Sequence, residues 1–164
     1  MSPLRQRRPV EVVAALLVES GRSLATAESC TGGMLGALLT SVAGASSWYR
    51  GGVIVYDDAL KHSLAGVSET TLSTHGAVSM EVASELAAGI RIRCSADIGI
   101  GITGIAGPGG GSADKPVGLV HLAIVDDGGT LHRELRLAGD RETVRRRTVA
   151  VALDRLRRRL LEKA

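Results

Sequence analysis

Apolar side chains recur at helical spacing from Val10 onward. Val10, Val13, Ala14 and Leu17 share one stripe, Pro9 suits a first helical position and Gly21 an end, so the pattern predicts a helix over 9–20. A short strand over 23–28 follows, then Ser29-Cys30-Thr31-Gly32-Gly33 and a Leu- and Ala-rich buried helix over 34–42. The β-branched run 52–56 predicts a second strand, and Asp57 is placed to cap a helix that reaches Leu64 before Gly66. Ser68 and Ser79 each open a further helix, the second running to Arg93. Residues 97–103 are short and apolar, as a strand buried on both faces should be. Five glycines and two prolines mark 104–116 as loop. A strand over 118–125, a turn at Asp127-Gly128-Gly129 and a strand over 130–137 form a hairpin. In its second strand Leu131, Leu135 and Leu137 alternate with His132, Glu134 and Arg136, and a long basic helix over 140–162 closes the chain.

Strands alternating with helices predict one α/β domain over 1–164, with a mostly parallel sheet, one antiparallel hairpin strand and helices on both faces. Ligands of such sheets bind beyond the carboxyl ends of the strands. Three polar clusters fall there: 29–33, 56–61 and 103–111. Composition narrows the class further. With 45% apolar residues in 164, the chain can bury a core without disulfides or metal, and disorder is excluded. No apolar run approaches ~20 residues, the first twenty residues lack a signal-peptide layout, and Cys30 and Cys94 match no metal-ligand spacing. A cytoplasmic protein with no metal, no cofactor and no membrane partner is expected.

The net charge of +3 hides an asymmetry, −3 over residues 1–130 against +6 over 131–164. Such a basic end can meet nucleic acid, a phosphate-bearing small molecule or only water. Trp48, Tyr49 and Tyr56 are the only aromatic residues, too few to stack on bases, so a small-molecule partner is favoured and nucleic acid is not expected.

Each cluster has a plain reading and a chemical one. Two hydroxyls and two glycines at 29–33 make either a capped helix start or a set of backbone N–H groups for an anion, with Ser29, Thr31 and Gly32 as its binding residues. Glu28 beside them is either buried and paired or part of a cap. Eight glycines in the twenty residues 99–118 signal close backbone approach to a ligand or a tight crossover, or else a flexible loop. Thr103 and Gly104, at the strand end, are the candidates there. Ser46, Ser47, Tyr56 and Lys61 form a possible reactive set, because a lysine in a desolvated pocket can activate a serine without histidine. Tyr56 would then steady an oxyanion or relay a proton. Cys30 reads best as a small buried filler. The arginines of the last helix read as a solvated face, except Arg141, where the chain turns toward a ligand phosphate or carboxylate.

Six stretches, in order, resemble the CinA C-terminal domain family. They are Thr26-Ala27-Glu28-Ser29-Cys30-Thr31-Gly32-Gly33, Arg50-Gly51-Gly52-Val53 through Tyr56 to Lys61, and His75-Gly76-Ala77-Val78-Ser79. Thr103-Gly104-Ile105-Ala106-Gly107-Pro108, Lys115-Pro116-Val117-Gly118 and Gly139-Asp140-Arg141 complete the set. The resemblance implies a three-layer α/β/α sandwich on a mixed sheet. It also implies metal-free hydrolysis of the carboxamide of nicotinamide mononucleotide (NMN), giving nicotinic acid mononucleotide and ammonia. In that reading Ser46 is the nucleophile, Lys61 its base and Tyr56 an assistant, while Ser29, Thr103 and Arg141 hold the substrate. Strand geometry points elsewhere for one role: at ~3.3 Å per residue, the predicted strand separates Ser46 from Lys61 by ~20 Å, whereas Ser29 shares the carboxyl end with Lys61. Ser46 is taken as the nucleophile and Ser29 as the alternative. Asp57-Asp58, beside the lysine, mark a second functional reading, a nucleotide-binding regulatory module that keeps the pocket without the chemistry. A pocket assembled from loops also leads us to expect a homo-oligomer.

Overall fold

A computed structural model describes residues 8–162. Helix α1 (Pro9–Ser20) leads into strand β1 (Leu24–Glu28), helix α2 (Met34–Thr40), a 3₁₀ turn (Ala45–Ser47) and strand β2 (Tyr49–Ile54). Helices α3 (Asp58–Ala65), α4 (Glu69–His75) and α5 (Met80–Arg93) follow, then β3 (Ile98–Gly104), the hairpin β4 (Leu119–Asp126) and β5 (Gly129–Arg136), and finally α6 (Arg141–Leu161). The sheet order is β2-β1-β3-β4-β5. β1 pairs in parallel with β2 and β3, while β4 runs antiparallel to both its neighbours. Helices cover both faces of this mixed sheet, the three-layer α/β arrangement expected. Among the described residues no helix is long and apolar enough to cross a membrane.

Local signals place most boundaries. Asp57, Ser68, Ser79 and Asp140 each accept a backbone N–H from the first turn of the helix they precede. Gly21 and Gly66 end α1 and α3 in the left-handed conformation. β2 begins three residues earlier than the β-branched run suggests, because the Trp48 carbonyl takes the Leu24 N–H at 2.8 Å and pairing starts from there.

The sheet's two faces are built differently. Ile98, Ile100 and Ile102 of β3 join Leu24, Val120, Leu122 and Ile124 in the larger core, under α1, α2 and α6. On the opposite face β3 presents Gly99 and Gly101, and there a Cβ would lie 2.0 Å from the Ala87 carbonyl oxygen and 2.2 Å from that of Ala83. Those glycines let α5 lie directly on the strand. They account for part of the glycine density that the sequence left divided between ligand, crossover and loop.

The order 2-1-3-4-5 has a switch point between β1 and β3, since β1 connects onward to β2 on one side and β3 to β4 on the other. The candidate site lies at the carboxyl ends of these two strands.

Candidate active site

A cavity of about 260 Å³ opens at that switch point. Ser29, Tyr56, Lys61, Thr103, Gly104 and Arg141 all line it. A larger, apolar cleft of about 420 Å³ lies between α1, α2 and α6, lined by Val10, Met34, Leu38 and Leu153 among others. It is lined by no serine, threonine, cysteine or lysine, whereas the smaller space gathers the polar and titratable side chains.

Ser29 is the first residue past β1, and its N–H extends the ladder to the Ile102 carbonyl at 2.9 Å. The chain then turns tightly, with Gly32 and Gly33 at φ 58° and 94°. The buried Glu28 carboxylate organises that turn. It accepts the Thr31 hydroxyl at 2.5 Å and the Leu35 and Gly36 N–H groups at 3.1 and 2.8 Å, so a strand residue caps α2. Glu28 is therefore both buried with hydrogen-bond partners and part of the cap. Thr31 is spent on that bond and fully buried, while Gly32 presents its Cα side to Arg145; neither reaches the cavity. Their expected role in binding is corrected accordingly: Glu28 draws the Thr31 hydroxyl inward.

Lys61 sits in the first turns of α3 with its side chain 2% exposed. Its ammonium donates to the Tyr56 carbonyl at 3.2 Å and to Asp58 at 3.3 Å. The two aspartates thus divide their work, Asp57 capping the helix and Asp58 facing the lysine from the cavity rim. Tyr56 is exposed, and its hydroxyl accepts from Arg141 at 2.9 Å. The other terminal nitrogen of Arg141 donates to the Gly107 carbonyl at 2.8 Å. Thr103 is buried, and its hydroxyl donates to the Ala77 carbonyl at 2.8 Å, tying the loop before α5 to the end of β3.

Ser46 lies elsewhere. It is exposed in the 3₁₀ turn that precedes β2, level with Leu24, whereas Ile54, at the far end of β2, pairs with Glu28. The segment does not fold back along the strand, so within one chain the six residues of β2 keep Ser46 ~20 Å from the Lys61 end. Of the two serines weighed from sequence, Ser29 is the one brought to the lysine's cavity.

Cys30 also lines the cavity, but burial raises its thiol to about 11, so it stays protonated at neutral pH and is no nucleophile. His121 and His132 stack on the β4–β5 hairpin with Nδ1 and Nε2 2.9 Å apart, both held below the ordinary imidazole range chiefly by burial. Among the described residues no group of three or more His, Cys, Asp or Glu is arranged to hold a metal ion. The sequence reading missed Arg145, treated there as part of a solvated face. It donates from Nε to the Cys30 carbonyl and from Nη2 to the Thr31 carbonyl, each at 3.1 Å. Its position four residues after Arg141, on the same face of α6, was the available signal.

Comparison with known proteins adds a family to this geometry. The model of the CinA C-terminal domain matches residues 6–160. A CinA-like protein of Acidobacterium capsulatum is 51% identical over 151 residues, covering 92% of this chain and 36% of that protein. One of Gloeobacter violaceus is 51% identical over 150 residues, covering 90% and 35%. The chain thus spans little more than a third of the length of these curated relatives. Among solved structures, competence/damage inducible protein CihA of Agrobacterium tumefaciens superposes with a TM-score of 0.86 at 42% identity, covering 95% of this chain and 97% of that one. A competence-damaged protein (CinA) superfamily member of Klebsiella pneumoniae gives 0.90 at 36%, covering 95% and 99%.

Proposed function

The chain belongs to the CinA C-terminal domain family, and on that footing we propose that its cavity is the active site of an amidohydrolase acting on NMN. The observation that carries the reading is Lys61, a lysine kept almost wholly from water at the wall of a cavity that a serine, Ser29, also lines. Ser29 attacks the carboxamide carbon as its hydroxyl proton passes to Lys61. The tetrahedral intermediate expels ammonia with a proton returned from the lysine, and water then releases the acid from the acyl-enzyme. No metal or cofactor enters these steps. Arg141, at the rim, has donors beyond the two it uses on Tyr56 and Gly107 and suits the substrate phosphate. Tyr56 keeps its own hydroxyl proton for the reacting oxygen, since it accepts from Arg141.

The test is ammonia release from NMN without added metal. Wild type should be active, Ser29→Ala and Lys61→Met inactive, and Ser46→Ala close to wild type. Loss in Ser46→Ala with Ser29→Ala active would move the nucleophile to Ser46, and because one chain holds that serine away from the lysine, a second copy would have to supply it. A binding-only role is favoured by one observation, the Asp58 carboxylate that engages the lysine at the rim. Calorimetric NMN binding by a folded wild type that releases no ammonia would establish that reading instead.

A further inference from the structure

We propose that Arg145 is a positioning residue for the serine turn, holding Ser29 toward Lys61 from the far side of the loop; this rests on Ser29 being the nucleophile. The turn needs an outside hold. Two consecutive glycines at positive φ give it the least conformational preference of any residues, and nothing in their side chains fixes it. On the sheet side the Glu28 carboxylate fastens Thr31 and the start of α2. On the other side two carbonyls, of Cys30 and Thr31, face α6, and the Arg145 guanidinium takes both. It packs so closely that a Cβ at Gly32 would stand 3.2 Å from its Nη2.

Two successive carbonyls call for a planar fork, and the Nε and Nη2 donors of arginine supply one. A lysine ammonium is a point donor on a flexible stem and cannot match both at once. Arg145 does not line the cavity, so its influence on chemistry runs through the turn. Arg141, one helical turn earlier, reaches Gly107 and Tyr56. The opening turns of α6 thereby hold the loop after β1, the loop after β3 and the tyrosine after β2 from a single helix face.

The experiment compares wild type with Arg145→Met, Arg145→Lys and Arg145→Ala, and with Arg146→Met as the control, since Arg146 is exposed and pairs with Glu142. Steady-state ammonia release from NMN and hydrogen exchange of the peptide 29–36 are read together, with the peptide 119–126 of β4 as reference. Arg145→Met and Arg145→Lys should both lower kcat, the methionine variant by about 10–100-fold, with KM within about threefold of wild type. Added guanidinium ion should restore part of the activity of Arg145→Ala. Exchange should rise in 29–36 and stay unchanged in 119–126. Arg145→Met with wild-type kcat and wild-type exchange overturns the proposal. So does loss of protection in both peptides, which would make Arg145 a general support of the fold. If wild type releases no ammonia, the proposed activity fails by itself, and the exchange comparison still decides whether Arg145 holds the turn.

Discussion

Replacing Lys61 with methionine separates what this residue does for chemistry from what it does for the fold. The side chain is 2% exposed, yet the acceptors of its ammonium, the Tyr56 carbonyl and Asp58, stand at 3.2 and 3.3 Å, beyond the usual optimum. Asp58 is itself 62% exposed, so solvent screens the pair and its contribution is on the order of 0–1 kcal/mol. Against this stands the cost of keeping a charge out of water, several kcal/mol even after relaxation. Methionine keeps an unbranched stem of similar volume and has no charge to desolvate, while Asp58 turns to solvent without penalty. The forfeited hydrogen bond to the Tyr56 carbonyl returns about 1 kcal/mol to the debit side. The balance predicts a variant between unchanged and about 2 kcal/mol more stable, a rise in Tm of up to about 8 °C for a chain of this length. Ammonia release should fall by about 10²–10⁴-fold. Calorimetric melting and the NMN assay, run on one preparation, read both quantities. A variant that melts below wild type refutes the desolvation argument, and one that releases ammonia at the wild-type rate refutes the role of base.

Other residues give equally direct outcomes. Cys30, its thiol pushed to about 11, should escape iodoacetamide in the native protein near neutral pH and be labelled once the chain is unfolded; mass spectrometry showing native labelling would refute its burial argument. His121 and His132 are held neutral in the fold, whereas the unfolded chain takes up protons as pH falls through about 6.5. Their contribution to stability is therefore complete above that value and lost as pH drops through the depressed native values. Tm should decline below about pH 6.5, less steeply in His132→Gln, and equal slopes would refute the assignment. Gly101→Ala would set a methyl 2.2 Å from the Ala83 carbonyl oxygen and 2.6 Å from the Ala87 nitrogen, so α5 must lift from the sheet. A loss of about 3 kcal/mol in denaturant unfolding is expected, and a variant as stable as wild type would show that α5 has slack.

What the sequence discloses depends on how local the cause is. Caps and stop signals at Asp57, Gly66, Ser68, Ser79 and Asp140 act within one turn, and the helices they delimit are read from them almost residue by residue. The glycines of β3 were legible as dense but not as explained, because Gly99 and Gly101 answer to α5, which packs on the strand from an earlier part of the chain. The cavity residues Ser29, Tyr56, Lys61, Thr103, Gly104 and Arg141 could be named from sequence because each ends or follows a strand or lies in the opening turn of a helix. Thr31 could not be excluded, since its hydroxyl turns inward only where Glu28 waits for it. Arg145 was hidden among other arginines of a basic helix, its two carbonyl partners more than a hundred residues away.

The position of Ser46 follows from the same strand logic that assembles the cavity. β1, β2 and β3 are parallel, so everything after them gathers at one end and everything before them at the other. Ser29, Tyr56, Lys61 and Thr103 all come at or after a carboxyl end, while Ser46 precedes the amino end of β2. No adjustment of a loop within one chain can exchange those ends, because the Trp48 carbonyl already pairs with the first residue of β1. A hydroxyl for Lys61 in the same chain must come from a segment that follows a strand of this parallel set. Ser29 meets that condition, and it stands in a turn that Glu28 and Arg145 hold from opposite sides.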